Sequence, residues 1–411
     1  MMRAVERLIR YVKYETTSDE NSKNHPSSPG QKIFAEALAD EMRQCGLSEV
    51  RLSDKGYLFG TLPATKGCEA LAPMGLLAHL DTSSEASGRD VHPQIVRYEG
   101  GSIPLGSSGK ELSPDRFPVL NRMTGRTLIV TDGSTLLGAD DKNGIAEILT
   151  AVERIVNESI PHRKLCIGFT PDEEIGQGTD FFDVSDFGAA FAYTVDGGGA
   201  GEIEYQNFNA ASVEVTITGR SVHPGSAKDV MLNAQKVAME FDSMLPPDEV
   251  PEKTEEREGF YHLIHMEGTV GRALLRYLLR DHDAALFEEK KRRIREIADA
   301  LNRKYGTGTV KVSLQDSYRN MEEIIRRNMG LITLAENSAR KAGLVPRIVP
   351  IRGGTDGAML SFRGLPCPNL GTGGYNFHGE FEFACAEEMD AVVEQLLFLA
   401  SDPSEVRITL P

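Results

Sequence analysis

Several short stretches of the chain end an apolar run in a histidine or an acid, and each is a candidate for metal or proton chemistry. In Leu77-Ala78-His79-Leu80-Asp81 two polar residues stand two apart, and the period of two in a strand turns both side chains to one face. That suits an imidazole ligand beside an orienting carboxylate, because a zinc-bound histidine usually donates its second N–H to a carboxylate or carbonyl. Taken alone, the pair reads more simply as a satisfied surface contact. In Leu137-Gly138-Ala139-Asp140-Asp141-Lys142-Asn143-Gly144 two acids precede a predicted helix, whose N-terminus favours negative charge. One aspartate suffices as a cap. The other is then free for a metal, and its two oxygens suit a bridge between two ions; cap and ligand are both open readings at this point.

Phe169-Thr170-Pro171-Asp172-Glu173-Glu174-Ile175-Gly176 sets an acidic triplet directly after the apolar run that starts at Leu165. Massed carboxylates repel one another and call for cations, and no run of Lys or Arg stands nearby. Adjacent glutamates can divide the work, one binding metal and the other taking a proton from bound water; by itself the stretch reads more simply as an exposed acidic loop. Tyr193-Thr194-Val195-Asp196-Gly197-Gly198-Gly199 repeats the plan, with small residues that admit close approach. Its glycines lack the lysine and the spacing of phosphate loops, which argues against nucleotide binding. Asn376-Phe377-His378-Gly379 adds a second histidine. Together these residues give the nitrogen and oxygen donor mixture of hydrolytic zinc, and five ligands with one shared suit two ions.

Such motifs need a frame that brings them together. A chain of 411 residues suggests two domains. Its first two hundred residues alternate amphipathic stretches (31–46, 143–157) with apolar runs (75–80, 165–170), the pattern of an α/β domain. From Ala211 the pattern changes. Val213, Val215 and Ile217 alternate as a half-buried strand, then come a helical stretch over 229–245, a Pro/Glu-rich loop over 246–257 and strands near 259–267 and 272–280. An amphipathic helix over 283–304 leads to Val310, Val312 and Leu314. This order predicts a separate split-βαβ unit. Helical and short-strand patterns return after 320, with Arg352-Gly-Gly-Thr-Asp-Gly. The simplest topology is an insertion: residues 208–319 interrupt a catalytic domain made of 1–207 and 320–411, with a ligand cleft between the two. Loop 99–119, rich in Gly, Ser and Pro, reads as connection.

Composition narrows the function classes. With 40% hydrophobic and 26% charged residues the chain is ordinary for a soluble protein, and no apolar run reaches the eighteen or so residues of a membrane helix. Val5, Leu8, Ile9 and Val12 recur at helical spacing, unlike a signal-peptide core. Five scattered cysteines, an odd number without Cys-x-x-Cys spacing, argue against a disulfide framework or thiolate zinc site and for a reducing, cytoplasmic compartment. A formal charge of -16 argues against a nucleic-acid partner, which calls for a basic face.

Thr-Leu-Leu-Gly-Ala-Asp-Asp-Lys at 135–142, Thr-Pro-Asp-Glu-Glu at 170–174, Tyr-Thr-Val-Asp-Gly-Gly-Gly at 193–199 and Pro-Ile-Arg-Gly-Gly-Thr-Asp-Gly at 350–357 resemble the two-zinc exopeptidase superfamily that includes glutamate carboxypeptidase and succinyl-diaminopimelate desuccinylase. Within it the chain is most similar to the bacterial tripeptide aminopeptidases, and the likeness runs through nearly its whole length. The resemblance implies an α/β catalytic domain with a mixed central sheet flanked by helices, an inserted ferredoxin-like lid and dimerisation domain, two Zn2+ ions per subunit, tripeptide substrates and a homodimer formed through the inserted domain. It implies that His79 and Asp196 bind one zinc, Glu174 and His378 the other, and that Asp140, two places before Lys142, bridges them. Asp81 would orient the metal shell. Glu173 would be the general base, taking a proton from the zinc-bridging water and passing it to the leaving amine.

In Ser221-Val222-His223-Pro224-Gly225 the histidine matches one that reaches the substrate carbonyl and helps stabilise the oxyanion. Arg280 and Arg352 resemble residues that hold the peptide C-terminal carboxylate, a task suited to a forked guanidinium. Fixing that carboxylate would make the site a ruler, since an extended tripeptide spans about 10 Å at roughly 3.3 Å per residue. One departure stands out: Glu380 and Phe381 follow Gly379 where members of the family carry Lys-His. The nearest rival function is another exopeptidase or amidohydrolase of the superfamily. A non-catalytic relative would be expected to have lost the base or a ligand.

Overall fold

The apolar runs that precede His79, Asp172 and Asp196 become neighbouring strands. In the computed structural model, which describes residues 1–409, Met74–His79 runs parallel to Leu165–Thr170 on one side and to Phe191–Gly197 on the other. All six residues of each of the first two strands are buried, which is why their sequences read as continuous apolar runs rather than alternating ones. The register pairs His79 with Thr170 and Leu77 with Thr194. The three strands therefore end level, and the residues following them emerge at one edge, where open α/β sheets place their sites.

These strands are the centre of an eight-stranded mixed sheet, in the order Ser48–Leu52, Leu58–Leu62, Leu165–Thr170, Met74–His79, Phe191–Gly197, Asn369–Gly371, Glu202–Asn207, Arg347–Ile351. Leu77, Cys166 and Ala192 pack with Phe59, Phe182, Phe187 and Leu360. Helix Ala139–Asn157 lies on Met74–His79 and Phe191–Gly197, and helices Ala4–Tyr11 and Ala386–Ser401 pack against it. Its approach is close because Gly144 has no side chain: a Cβ there would overlap the Val195 carbonyl oxygen and an Asp141 carboxylate oxygen. A smaller sheet joins Gly374–Tyr375, Phe383–Cys385, Arg126–Val130 and Gln94–Tyr98.

The chain separates into two compact units, residues 1–205, 321–349 and 355–411, and residues 206–320 with 350–354. The second unit is a four-stranded antiparallel sheet ordered Phe260–Gly268, Arg272–Asp281, Asn209–Thr218, Val310–Tyr318, with helices Ala234–Ser243 and Ala284–Tyr305. This is the strand-helix-strand-strand-helix-strand order expected from the sequence. Val213, Val215 and Ile217 face inward with Leu275, Tyr277 and Leu279. Asp283 caps the second helix by accepting the N–H of Ala285 and Leu286 at 2.8 and 2.9 Å. The stripe Phe287, Ile294, Ile297 and Leu301 is buried on the core, each such side chain contributing about 1.5–3 kcal/mol.

The sequence reading left 350–354 with the first unit, whereas the structure groups it with the second. The reason is local: Arg280 and His282 face the carbonyl oxygens of Arg352 and Ile351, both at 3.0 Å, and the Tyr318 ring lies over Gly354. Among the described residues no helix is long and apolar enough to cross a membrane.

Gly144→Ala should overpack the helix against the strand carrying Asp196 and lower stability by about 1–3 kcal/mol. Denaturant unfolding measures this, and an unchanged midpoint would show that the helix can move away freely.

Candidate metal centre

His79 closes its strand with its side chain only 2% exposed. Its Nδ1 lies 3.0 Å from the Asp81 carbonyl oxygen and 3.5 Å from Asp81 Oδ1, which leaves Nε2 facing Asp140 Oδ1 at 2.9 Å and Asp196 Oδ1 at 3.4 Å. The other oxygen of Asp140 is 3.1 Å from His378 Nε2, and that nitrogen is 3.0 Å from Glu174 Oε2. The structure thus brings His79, Asp140, Glu174, Asp196 and His378 together from five separate parts of the chain, with one Asp140 oxygen directed to each imidazole. Asp141 has turned away from that line. Its oxygens accept the N–H of His79 at 3.1 Å and of Gly144 at 3.2 Å, so the capping task falls to the second aspartate. Donor atoms of His79, Asp140 and Glu174, and of His79, Asp141 and Asp196, form two groups each within 4.8 Å.

Carboxylates outside the cluster hold the segments that carry it. Asp81 offers one oxygen to the N–H of Glu173 at 3.0 Å and the other to that of Glu174 at 3.2 Å. Glu382 accepts three N–H groups, from Leu137, Gly138 and Asp140, at 2.7, 2.8 and 3.0 Å. It reaches them because Phe383–Cys385 pairs with Arg126–Val130, the strand before the Asp140 loop. His378 lies between Gly374–Tyr375 and Phe383–Cys385, which pair with each other, and its backbone is left-handed at φ 64°. That loop is tied by Thr131 Oγ1 to the Glu380 carbonyl at 2.9 Å and by Asn376 Nδ2 to the Phe381 carbonyl at 3.1 Å.

The departure at 380 and 381 has its own partners. Lys110 pairs with the Glu380 carboxylate, and Phe381 lies 5.2 Å from the Phe117 ring and 4.5 Å from the Arg116 guanidinium. The segment 99–119, which reads as plain connection in the sequence, forms the hairpin Ile103–Leu105 with Lys110–Leu112 and meets the His378 loop.

Charge decides what this cluster holds. Burial raises Glu174 to about 7 and Asp196 to about 6, with repulsion from Asp140 adding to it. Glu173 is pushed well above the carboxylate range by burial. Burial disfavours charged imidazoles, but Asp196, Asp140 and Asp81 outweigh it and hold His79 well above its usual value, while Asp140 and Glu174 raise His378 to about 11. Asp140 is buried too, yet the two imidazoles keep it below the ordinary carboxylate range. Glu174 Oε1 is buried with no hydrogen-bond partner among the described residues. A nitrogen and oxygen donor set with excess negative charge and an unpartnered inward oxygen fits divalent cations, for which ligating imidazoles must be neutral.

His223, Arg280 and Arg352 belong to the second unit. His223 is exposed, its Nδ1 accepting the Gly225 N–H at 3.1 Å. Arg280 donates Nη1 to the Arg352 carbonyl, and its Nε is buried without a partner. The Arg352 guanidinium donates to the carbonyls of Thr254, Glu256 and Glu258 and lies against the rings of Phe208 and Phe260. Sequence reasoning did not assign roles to Glu382, Lys110, or Asp356, a buried acid with one unpartnered oxygen and a carboxyl raised by burial to about 7. Asp356 stood in a quoted motif. Glu382 is an acid in register with the family beside the Glu380-Phe381 departure, whereas Lys110 carried no signal, because its partner is remote in the chain.

Glu382→Gln should weaken the binding of a divalent cation such as Zn2+ or Co2+ about tenfold by loosening the Asp140 loop. Competition with a chromophoric chelator reads this directly, and unchanged affinity would remove Glu382 from the support of the site.

Residues 205–308 match the peptidase dimerisation domain family. Over 400 residues, 97% of this chain and 98% of the relative, the chain is 51% identical to peptidase T of Caldanaerobacter subterraneus. It is 48% identical over 402 residues to peptidase T of Vibrio parahaemolyticus, again 97% of this chain and 98% of the relative. Among solved structures it is similar to aminopeptidase PepT from Bacillus cereus, with TM-score 0.77, 22% identity and 98% of each chain covered. A dinuclear metal-binding M20 peptidase from Bacillus subtilis shares the fold at TM-score 0.65 and 12% identity, over 97% of this chain and 96% of that one.

Proposed function

The chain belongs to the peptidase T family, and on that premise we propose that it is a zinc-dependent aminopeptidase releasing the N-terminal residue from tripeptides. The observation that carries the reading is the convergence of His79, Asp140, Glu174, Asp196 and His378, with Glu173 beside Glu174 on backbone held by Asp81. His79 and Asp196 would hold one zinc ion, Glu174 and His378 a second, and Asp140 would bridge them. When bound, the pair would supply Lewis acidity and make a nearby water acidic enough to lose a proton near neutral pH.

The chain's own groups do the rest. Glu173 would act as the general base, taking a proton from the attacking water on its carboxylate and returning it to the amine that leaves as the peptide bond breaks. Its burial suits the role, since a base whose pKa is raised toward the working pH can both take and give a proton. Asp81 fixes the His79 ring and holds the backbone of Glu173 and Glu174 in place. His223 stabilises the developing oxyanion, and Arg280 and Arg352 hold the substrate's terminal carboxylate. The buried, unpartnered Nε of Arg280 supports it in that role; Arg352 must exchange its present carbonyl partners to join it.

The first unit (1–205, 321–349 and 355–411) would serve as the catalytic domain, the second (206–320 with 350–354) as lid and dimer surface. A homodimer is supported by the match to a dimerisation domain and by an edge strand, Phe260–Gly268, that exposes Ile264 and Met266. The free cysteines are in keeping with a cytoplasmic location.

Release of the N-terminal residue should be confined to trialanine among di-, tri- and tetra-alanine, should vanish on chelation and return with zinc, and should fall roughly 10²- to 10⁴-fold in Glu173→Ala. Chromatography of the products checks this; C-terminal release or no length preference would move the chain to another activity of the superfamily. Replacing Arg280 or Arg352 by Met should reduce kcat/KM on trialanine more than on its C-terminal amide, and equal losses on both would remove the arginines from carboxylate recognition.

A further inference from the structure

Asp172, the first acid of the triplet, faces away from the cluster. It is fully buried, and its backbone is left-handed at φ 59°, a conformation an L-residue keeps only where its surroundings enforce it. Those surroundings come from a segment with no motif, His25–Gln31. Asp172 Oδ2 accepts the Ser27 N–H at 2.8 Å. Its Oδ1 accepts Ser27 Oγ–H at 2.5 Å and Gln31 Nε2–H at 2.6 Å. Gln31 Oε1 in turn accepts the Asp172 N–H at 3.0 Å, so one amide clamps both the backbone and the side chain of the same residue. His25 Nδ1 lies 3.2 Å from Oδ2, with its ring stacked on Tyr57 and edge-on to Phe181. The Asp172 carbonyl accepts the Gln177 N–H at 2.9 Å.

The next residue is Glu173, whose own N–H goes to Asp81. A surface turn needs one capping bond, whereas here several charge-assisted or reciprocal bonds converge on the residue before the base. We propose that Ser27 and Gln31 are positioning residues of the reaction: through Asp172 they fix the backbone from which Glu173 projects, so that Asp81 holds it from one side and the Asp172 cage from the other. The proposal rests on Glu173 as general base. It follows from the sensitivity of proton transfer to placement, where displacements of about 1 Å cost orders of magnitude in rate.

The test uses the full-length zinc-loaded enzyme on trialanine, with Ser27→Ala, Ser27→Thr, Gln31→Ala and Glu173→Ala in parallel. Ser27→Ala and Gln31→Ala should each lower kcat roughly tenfold, with KM and zinc affinity, measured by chelator competition, within about twofold of the parent. Ser27→Thr, which keeps the hydroxyl, should restore most of the rate. Full kcat in both alanine variants, even with a lower melting temperature, would overturn the proposal, as would losses appearing in KM or zinc affinity instead of kcat. Should Glu173→Ala keep its activity, the base reading itself fails; should it be inactive while Ser27→Ala and Gln31→Ala are not, only the cage inference fails.

Discussion

Everything in this fold answers to one electrostatic constraint: several carboxylates gathered within a few ångströms in a buried pocket. Asp140, Glu174 and Asp196 converge on two imidazoles, and burial makes their mutual repulsion costly. Neutral carboxyls would relieve the repulsion but bind metal poorly. Divalent cations relieve it and gain ligands at once. The parallel sheet makes the gathering possible, because strands ending level deliver their following residues to one edge while their interiors, packed by Phe182, Phe187 and Leu360, hold the edge rigid.

The acids that do not face the cluster fall into a consistent pattern. Asp81, Asp141, Asp172 and Glu382 each direct their oxygens to backbone N–H groups of segments bearing a residue of the cluster or Glu173, or to groups that clamp such a segment. A carboxylate accepting backbone N–H groups is both satisfied and immobilised, so the same residue type serves as ligand and as scaffold. Which role an acid plays is set by the direction its backbone gives it. Adjacent residues take opposite roles, as Asp140 and Asp141 do, and as Asp172 and Glu174 do across Glu173.

The departure at Glu380 and Phe381 illustrates local compensation. A negative charge two residues from His378 would add to an already acidic site, but Lys110 neutralises it, and Phe381 lies between Phe117 and Arg116. Both partners come from the 103–117 region, so the hairpin and the His378 loop make one packed surface. His378 keeps its place by contacts remote in sequence.

By itself the sequence indicated the family, the candidate donor residues and most of the architecture. His79, Asp140, Glu174, Asp196 and His378 were legible because each ends an apolar run or sits in a family motif, and the second unit's strand-helix order was legible because periods of two and 3.6 are local properties of the chain. Only the tertiary structure decided what depends on long-range proximity. It separated the cap from the inward-facing acid in the Asp140–Asp141 pair, drew Pro350–Gly354 to the second unit, turned a plain loop into a hairpin on the His378 loop, and set Ser27 and Gln31 around an aspartate more than a hundred positions away. The physical reason is common to all of these: a hydrogen bond or ion pair needs a partner within about 3–4 Å, and no property of either residue's own neighbourhood in the chain says which distant partner folding will bring there.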